Sequence, residues 1–305
     1  MSLRRRFLIS FVFSLGRLPL RVRRFLAWLV GSVLGSIPIR DQKIARLQIK
    51  TFLEPRGIKA SVRKVYESFC LTFLEALNMA PLLKNDTTLI RFDQWAEVRS
   101  LQAEGKGAIY LSGHTGNWEL LAAYLIKNGL NFYPLGRRAR HPVTNEILEG
   151  VRERHNVHTL WRQDNAGVKE IVRVLRGGGG IAALLDQDTE VSSGFAPFFG
   201  SQAKTPVALI SLAQKLGCRI CVLLLVRETK STYRVFYTPL DESKEVTAIL
   251  ADYNQALEDV VRKYPEQWPW FHKRWRSRPD GRKFSSKEYI RCLRTDPRSF
   301  FRSEA

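Results

Sequence analysis

His114-Thr-Gly-Asn-Trp-Glu119 carries an imidazole and a carboxylate with four residues between them, and those two groups suffice for general-base chemistry. A carboxylate bound to one ring nitrogen fixes the tautomer, leaving the other nitrogen free to take a proton from a hydroxyl. The segment follows the apolar run Ala108–Ser112 and opens a helical pattern, Glu119–Lys127, that Gly129 ends. In one continuous helix, five steps of ~100° would set the two side chains about 140° apart, on different faces. Pairing therefore requires His114 in a loop and Glu119 in the first helical turn, with Gly113 and Gly116 permitting a tight bend. The alternative for an isolated pair is a histidine that caps a helix beside an N-terminal acid.

The elements around this corner alternate regularly. Strand candidates are Ala108–Ser112, Phe132–Leu135, Val157–Trp161, Ile181–Asp186, Cys218–Val226 and Tyr233–Pro239. Between them lie helical patterns at Trp118–Lys127, Val143–His155, Ala166–Arg176 and Pro206–Leu216, and Val246–Lys263 follows the last strand. Ser61–Leu83 forms an amphipathic helical stretch before the first strand. The pattern predicts an α/β fold: a single catalytic domain with a mostly parallel sheet flanked by helices, its last two strands an antiparallel hairpin at one edge. Gly177–Gly180 lacks the lysine and spacing of a phosphate-binding loop.

Function in such sheets collects at the carboxyl ends of the strands. Besides His114, that edge receives Arg137, Arg138 and Arg140 after the second strand and Asp186 and Asp188 after the fourth. The arginines suit phosphate binding or a solvated basic loop. Asp186 needs a partner, and Arg152 and Arg154 on the preceding helix are candidates for that role or for clamping a substrate. Phe195-Ala-Pro-Phe-Phe-Gly200 is expected as an aromatic loop, either core or the lining of an acyl channel.

A net charge of +20 over 305 residues points to anionic partners: nucleic acid, lipid head groups or an acidic protein. The four cysteines form no disulfide framework, and no zinc cluster completes Cys218 and Cys221. No metal and no cofactor are expected. Residues 1–40 carry eight arginines and no acid, interleaved with the apolar runs Phe7–Leu15 and Phe25–Ile37. Each run is shorter than the ~20 residues that cross a bilayer core, so the segment reads as a basic anchor lying in the membrane interface, its arginines among lipid phosphates. Ordinary core helices with a basic outer face, or a tilted span through Phe25–Ile39, are the alternatives. The expected organisation is a membrane anchor over 1–40, a catalytic α/β domain over 41–278 and a basic tail over 279–305.

A resemblance names the chemistry expected of residues 41–278, that of an acyltransferase domain, and four segments carry it. His114-x4-Glu119, in the form H-T-G-N-W-E, resembles the lysophospholipid acyltransferase-like group, and more narrowly the late acyltransferases of bacterial lipid A assembly. Arg152-Glu-Arg154, Leu185-Asp-Gln-Asp188 with Phe198-Phe-Gly200, and Pro265-Glu-Gln-Trp268-Pro-Trp270-Phe-His-Lys-Arg-Trp275 are similar to that subgroup, across about residues 7–278. Asn156 departs from it, standing where the family tends to have glycine. The resemblance implies an inner-membrane enzyme, its catalytic domain on the cytoplasmic side, that moves a fatty acyl group from acyl carrier protein to a hydroxyl of an anionic, phosphorylated glycolipid. It further implies His114 as general base, Glu119 as its orienter, and Arg152 and Asp186 as further functional positions.

No serine or cysteine sits in a nucleophile motif, so direct transfer without a covalent acyl-enzyme is expected, with backbone N–H groups around Gly113–Asn117 or an arginine meeting the thioester oxyanion. Another glycolipid, a phospholipid or an aminolipid would suit the same chemistry. A nucleic-acid-binding protein would explain the charge but not the apolar N-terminal runs, and no nucleic-acid motif is evident. The basic stretch from Lys273 to Arg302, Arg274 and Arg276 included, is expected as a docking surface for the carrier protein or lipid phosphates.

Overall fold

The computed structural model describes residues 3–162 and 167–301. Helices α1 (Leu3–Leu15), α2 (Leu20–Ser36), α3 (Arg40–Gln48), α4 (Val62–Ala76), α5 (Ala80–Lys84) and α6 (Asp86–Leu89) precede the sheet. There follow β1 (Ile90–Arg91), α7 (Trp95–Ala103), β2 (Ala108–Ser112), α8 (Trp118–Lys127), β3 (Phe132–Gly136), α9 (Pro142–Glu153), β4 (Leu160–Trp161), α10 (Gly167–Arg176) and β5 (Gly180–Leu184). The hairpin β6 (Ser193–Phe198) and β7 (Ser201–Pro206) comes next, then α11 (Ala208–Leu216), β8 (Arg219–Arg227), β9 (Tyr233–Leu240), α12 (Val246–Lys263) and α13 (Ser286–Thr295).

Seven strands form one sheet in the order β1-β9-β8-β2-β5-β3-β4, parallel throughout except between β8 and β9. The expected α/β architecture is therefore present. Strands β2 and β8 are continuous apolar runs because helices cover both faces. Ile109, Leu111, Val222 and Leu224 pack toward α10, α11 and α12, whereas Tyr110, Cys221 and Leu223 face the α8 side.

Several elements differ from expectation for local reasons. The β8–β9 hairpin lies one strand inside the edge, because β1 pairs with β9; two residues are too few to carry a strand pattern. Only Leu160–Trp161 of the predicted Val157–Trp161 strand pairs with the sheet. Asn156, at φ 56°, follows α9 in the left-handed conformation that asparagine tolerates. Phe195–Gly200 is part of a hairpin whose turn residues Phe199 and Gly200 both have positive φ, and Phe198 and Phe199 are buried with Trp268, Trp270 and Trp275. These two aromatics are core. Ala166, the expected start of α10, lies outside the described residues.

The segment after Arg278 is not a solvated tail. Tyr289, Leu293 and Phe300 join the main core, and the Tyr289 hydroxyl donates to Gln48 on α3 at 2.7 Å. Arg274 is fully buried, donating to the Lys204 carbonyl and to Thr205 Oγ1, while Arg276 meets Glu190 at 3.2 Å. Arg274 is thus no docking surface: reversing its charge would bury a carboxylate where the fold requires a donor.

At the N-terminus, α2 buries Arg23, Ala27, Gly31 and Gly35, a stripe spaced by four residues, and lies along α4. A Cβ at Gly31 would stand 2.4 Å from the Glu67 Cα, so glycine is what permits this approach. Arg23 does not reach lipid phosphates; it donates to the carbonyls of Leu74 and Asn78, both at 3.0 Å, where α4 ends. The face turned outward is apolar: Phe25, Trp28, Leu29, Val30 and Val33 are exposed. Among the described residues no single helix is long and apolar enough to cross a membrane, although α2 and residues 40–56 together form one candidate pair, bent by 87°.

Candidate active site

Strands β2 and β5 are parallel neighbours in a register that sets Ser112 beside Leu184. Two residues further along each chain, His114 and Asp186 meet above the carboxyl edge. The Asp186 carboxylate takes the His114 ring Nδ1 at 2.7 Å on one oxygen. Its other oxygen accepts from the His114 backbone N–H at 2.8 Å and from the Trp268 indole at 2.9 Å. Burial alone would raise this carboxyl; the charge and hydrogen bonds of His114, with the Trp268 N–H, outweigh it and hold Asp186 well below the usual carboxylate range. An ionised carboxylate only accepts, so Nδ1 is the donor to Asp186, and in the neutral ring Nε2 is the nitrogen left to accept a proton. The edge of the imidazole ring rests against Trp118, with centroids 4.9 Å apart.

The corner is braced from below. Gly116, at φ 53°, turns the chain so closely over β8 that a Cβ there would stand 2.3 Å from the Leu225 carbonyl oxygen. Asn117 caps α8 by accepting from the Leu120 N–H at 3.0 Å and donates to Glu75 at 3.1 Å. Glu75, wholly buried, also binds Arg227 at 2.7 Å and the Tyr233 hydroxyl at 2.6 Å. This network ties α4, β8 and β9 to the His114 corner, and reading the sequence missed it.

Glu119 does begin α8, as pairing with His114 would require, but its carboxylate is spent elsewhere. Arg152 of α9 binds it through two parallel bonds of 2.9 and 2.8 Å and donates to Thr159 at 2.8 Å. The orienting carboxylate of His114 is therefore Asp186, and the expected Arg152–Asp186 unit is replaced by Arg152–Glu119. Both members of that ion pair are nearly closed off from solvent, so removing one strands the other. Glu119→Gln and Arg152→Met should each destabilise the fold by roughly 3–5 kcal/mol, with the double variant well short of the sum. Chemical denaturation of the four proteins measures this; additive losses would mean the two groups act separately.

The remaining expected residues scatter. Arg137 lines the same cavity as His114, Glu119 and Arg152. Arg138 lies over the Trp161 ring at 4.7 Å and binds Glu149 at 2.7 Å. Arg154 is not at this cavity: its guanidinium stacks on Phe13 of α1 at 3.8 Å. Asp188 holds the chain at Ser277, accepting from its N–H at 2.7 Å and its hydroxyl at 3.1 Å. Arg162 went unnoticed; it lines the cavity with no hydrogen-bonding or acidic partner among the described residues, its pKa lowered by burial and by nearby Arg137. Gln187 and His272 were also passed over. The Gln187 amide nitrogen stands 3.3 Å from His114 Nε2 and 3.1 Å from His272 Nε2.

The cavity measures about 1310 Å³, above the ~300–1,000 Å³ usual for ligand sites, with walls that include Leu135, Ile147, Val151, Ile171 and Leu209. Its other wall includes Phe69 and Phe73 of α4, themselves partly exposed on the surface. Among the described residues no group of acids, histidines and cysteines could hold a metal.

A mostly parallel sheet thus carries a carboxylate-held histidine at its edge, beside a large cavity with largely apolar walls. Residues 4–277 match the bacterial lipid A biosynthesis acyltransferases, and the chain belongs to that family. It is an acyltransferase. It is 26% identical over 284 residues to the lipid A biosynthesis palmitoleoyltransferase of Escherichia coli (strain K12), covering 87% of this chain and 88% of that one. The lipid A biosynthesis acyltransferase of Shigella flexneri gives the same figures. The lipid A biosynthesis lauroyltransferase of Escherichia coli (strain K12) is 27% identical over 210 residues, 63% of this chain and 65% of that one.

Proposed function

We propose that the protein transfers a fatty acyl group from an acyl carrier protein thioester to a hydroxyl of a lipid A precursor, working on the cytoplasmic side of the inner membrane. The observation that carries this reading is the His114–Asp186 pair at a large apolar cavity. His114 Nε2 takes the acceptor proton while the oxygen attacks the thioester carbon, and the same proton passes to the departing sulfur. The acyl chain occupies the apolar walls. Glu119 and Arg152 hold α8 against α9 and border the acceptor. Arg137 and Arg162, guanidiniums near one another on the cavity wall, offer bidentate contacts to lipid phosphate. A net charge of +20 favours both an acidic carrier protein and an anionic lipid. The test is transfer by purified protein of a labelled acyl chain from carrier protein to a lipid A precursor, with donor KM rising as salt screens the field. Saturable transfer from a carrier-free thioester, unaffected by added carrier protein, would remove the carrier from the reading.

Membrane binding is part of the same proposal. The small-residue stripe of α2 packs inward and leaves its aromatic and branched residues outside, the reverse of a soluble amphipathic helix. Phe69 and Phe73 adjoin both the surface and the cavity, a route for lipid from the bilayer. Replacing Phe25, Trp28 and Val33 together by serine should lower partitioning onto phosphatidylglycerol-containing vesicles by roughly tenfold or more. Activity on detergent-dispersed lipid should survive better than activity in bilayers. Equal sedimentation with vesicles, even in high salt, would exclude this face.

A further inference from the structure

A developing thioester oxyanion needs a donor near the attacked carbon, and most donors of the His114 corner are already committed. The backbone N–H of His114 goes to Asp186, that of Thr115 to the Gly113 carbonyl at 2.8 Å, and that of Gly116 to the Gln267 carbonyl at 3.1 Å. Arg152 is held by Glu119 and Thr159. The side chain nearest the reactive nitrogen is Gln187, whose amide nitrogen lies over the His114 ring, 3.3 Å from Nε2 and 3.5 Å from Nδ1, and 3.1 Å from His272 Nε2. Both rings present lone pairs there. His114 donates its Nδ1–H to Asp186, and His272 is kept neutral because burial lowers its pKa to about 4. One amide N–H can thus go to His272 Nε2 while the other stays beside the His114 ring. His272 is fixed in turn: its carbonyl accepts from Gln48 at 2.8 Å, and Gln48 accepts from Tyr289 of α13.

We infer that Gln187 is a catalytic residue of the transfer, the side-chain donor that meets the thioester oxygen, and that His272 is the positioning residue that aims it. The inference rests on the general-base reading above. For transfer, the acceptor hydroxyl hydrogen-bonds to His114 Nε2. The Gln187 N–H that is not given to His272 then stands within a few ångströms of the carbon under attack. The hydroxyl proton moves to His114 Nε2, the oxygen bonds to the thioester carbon, and the carbonyl π pair moves to the oxygen that Gln187 stabilises. Collapse restores the carbonyl, breaks the carbon–sulfur bond and returns the proton from His114 to the thiolate.

The test compares purified full-length Gln187→Ala, Gln187→Glu and His272→Leu with the parent, using an acyl carrier protein thioester and a lipid A precursor. Loss of one oxyanion donor costs ~10²–10³-fold in kcat, so Gln187→Ala should fall by that factor with both KM values within about twofold. Gln187→Glu, close in shape, should keep the fold, lose kcat similarly and move the acid limb of its pH–rate profile upward, since a carboxylate beside His114 favours the imidazolium. His272→Leu should lose less, and adding it to Gln187→Ala should cost little more, because its role runs through Gln187. A kcat for Gln187→Ala within threefold of the parent, or a loss confined to KM, overturns the inference while leaving the general-base reading intact if His114→Ala is inactive in the same assay. Normal turnover by His114→Ala overturns both.

Discussion

Replacing His114 by alanine is expected to lower acyl transfer by ~10²–10⁴-fold, the span over which a general base contributes, with folding and membrane binding preserved. The ring projects from a loop, and the groups it touches keep other anchors. Asp186 retains the His114 backbone N–H and Trp268, and Trp118 belongs to α8. Steady-state turnover of the purified variant, with a thermal melt beside it, decides the matter. Turnover near that of the parent would end the role assigned to this imidazole.

Asp186→Asn should come close to the same loss, for a reason contained in three hydrogen bonds. The His114 backbone N–H and the Trp268 indole both donate to one carboxylate oxygen, so the single oxygen of asparagine is drawn to that side. The new amide NH2 then faces ring Nδ1, which must accept. The ring proton shifts to Nε2, the nitrogen that has to receive the hydroxyl proton. In serine proteases the equivalent substitution costs ~10⁴-fold through the wrong tautomer, and a loss of ~10³–10⁴-fold is expected here. Asp186→Ala should be less informative, since it also leaves a buried N–H and an indole without an acceptor. A kcat for Asp186→Asn within tenfold of the parent would show that the carboxylate does not set the tautomer.

The segments that meet at this edge were legible in the sequence but their pairing was not, and the causes are geometric. Strands Ala108–Ser112 and Ile181–Asp186 were both legible from their apolar runs. Their adjacency was not, and adjacency in register is what sets His114 beside Asp186. Lacking it, the nearest carboxylate in the chain, Glu119, looked like the partner. Arg152 and Arg154 were grouped, yet two residues on a helix stand ~200° apart. One reaches Glu119 and the other Phe13, a separation that spacing alone could have given. The aromatic run at 195–200 hid a hairpin because its turn is Phe199-Gly200, with an aromatic at the first positive-φ position. The basic composition after Lys273 concealed Arg274 and Arg278, which the core closes over as donors to backbone carbonyls. The outward apolar face of α2 was partly visible in its composition. Only packing revealed that Arg23 is the inward residue.

The most direct measurement is a mass spectrum of lipid A from cells lacking this protein, complemented with the parent or with His114→Ala at equal abundance. Lipid A is expected to lack one acyl chain in the deletion strain, to regain it with the parent, and not to regain it with His114→Ala. Unchanged lipid A, with the missing chain found on a different lipid or with full restoration by His114→Ala, would contradict it.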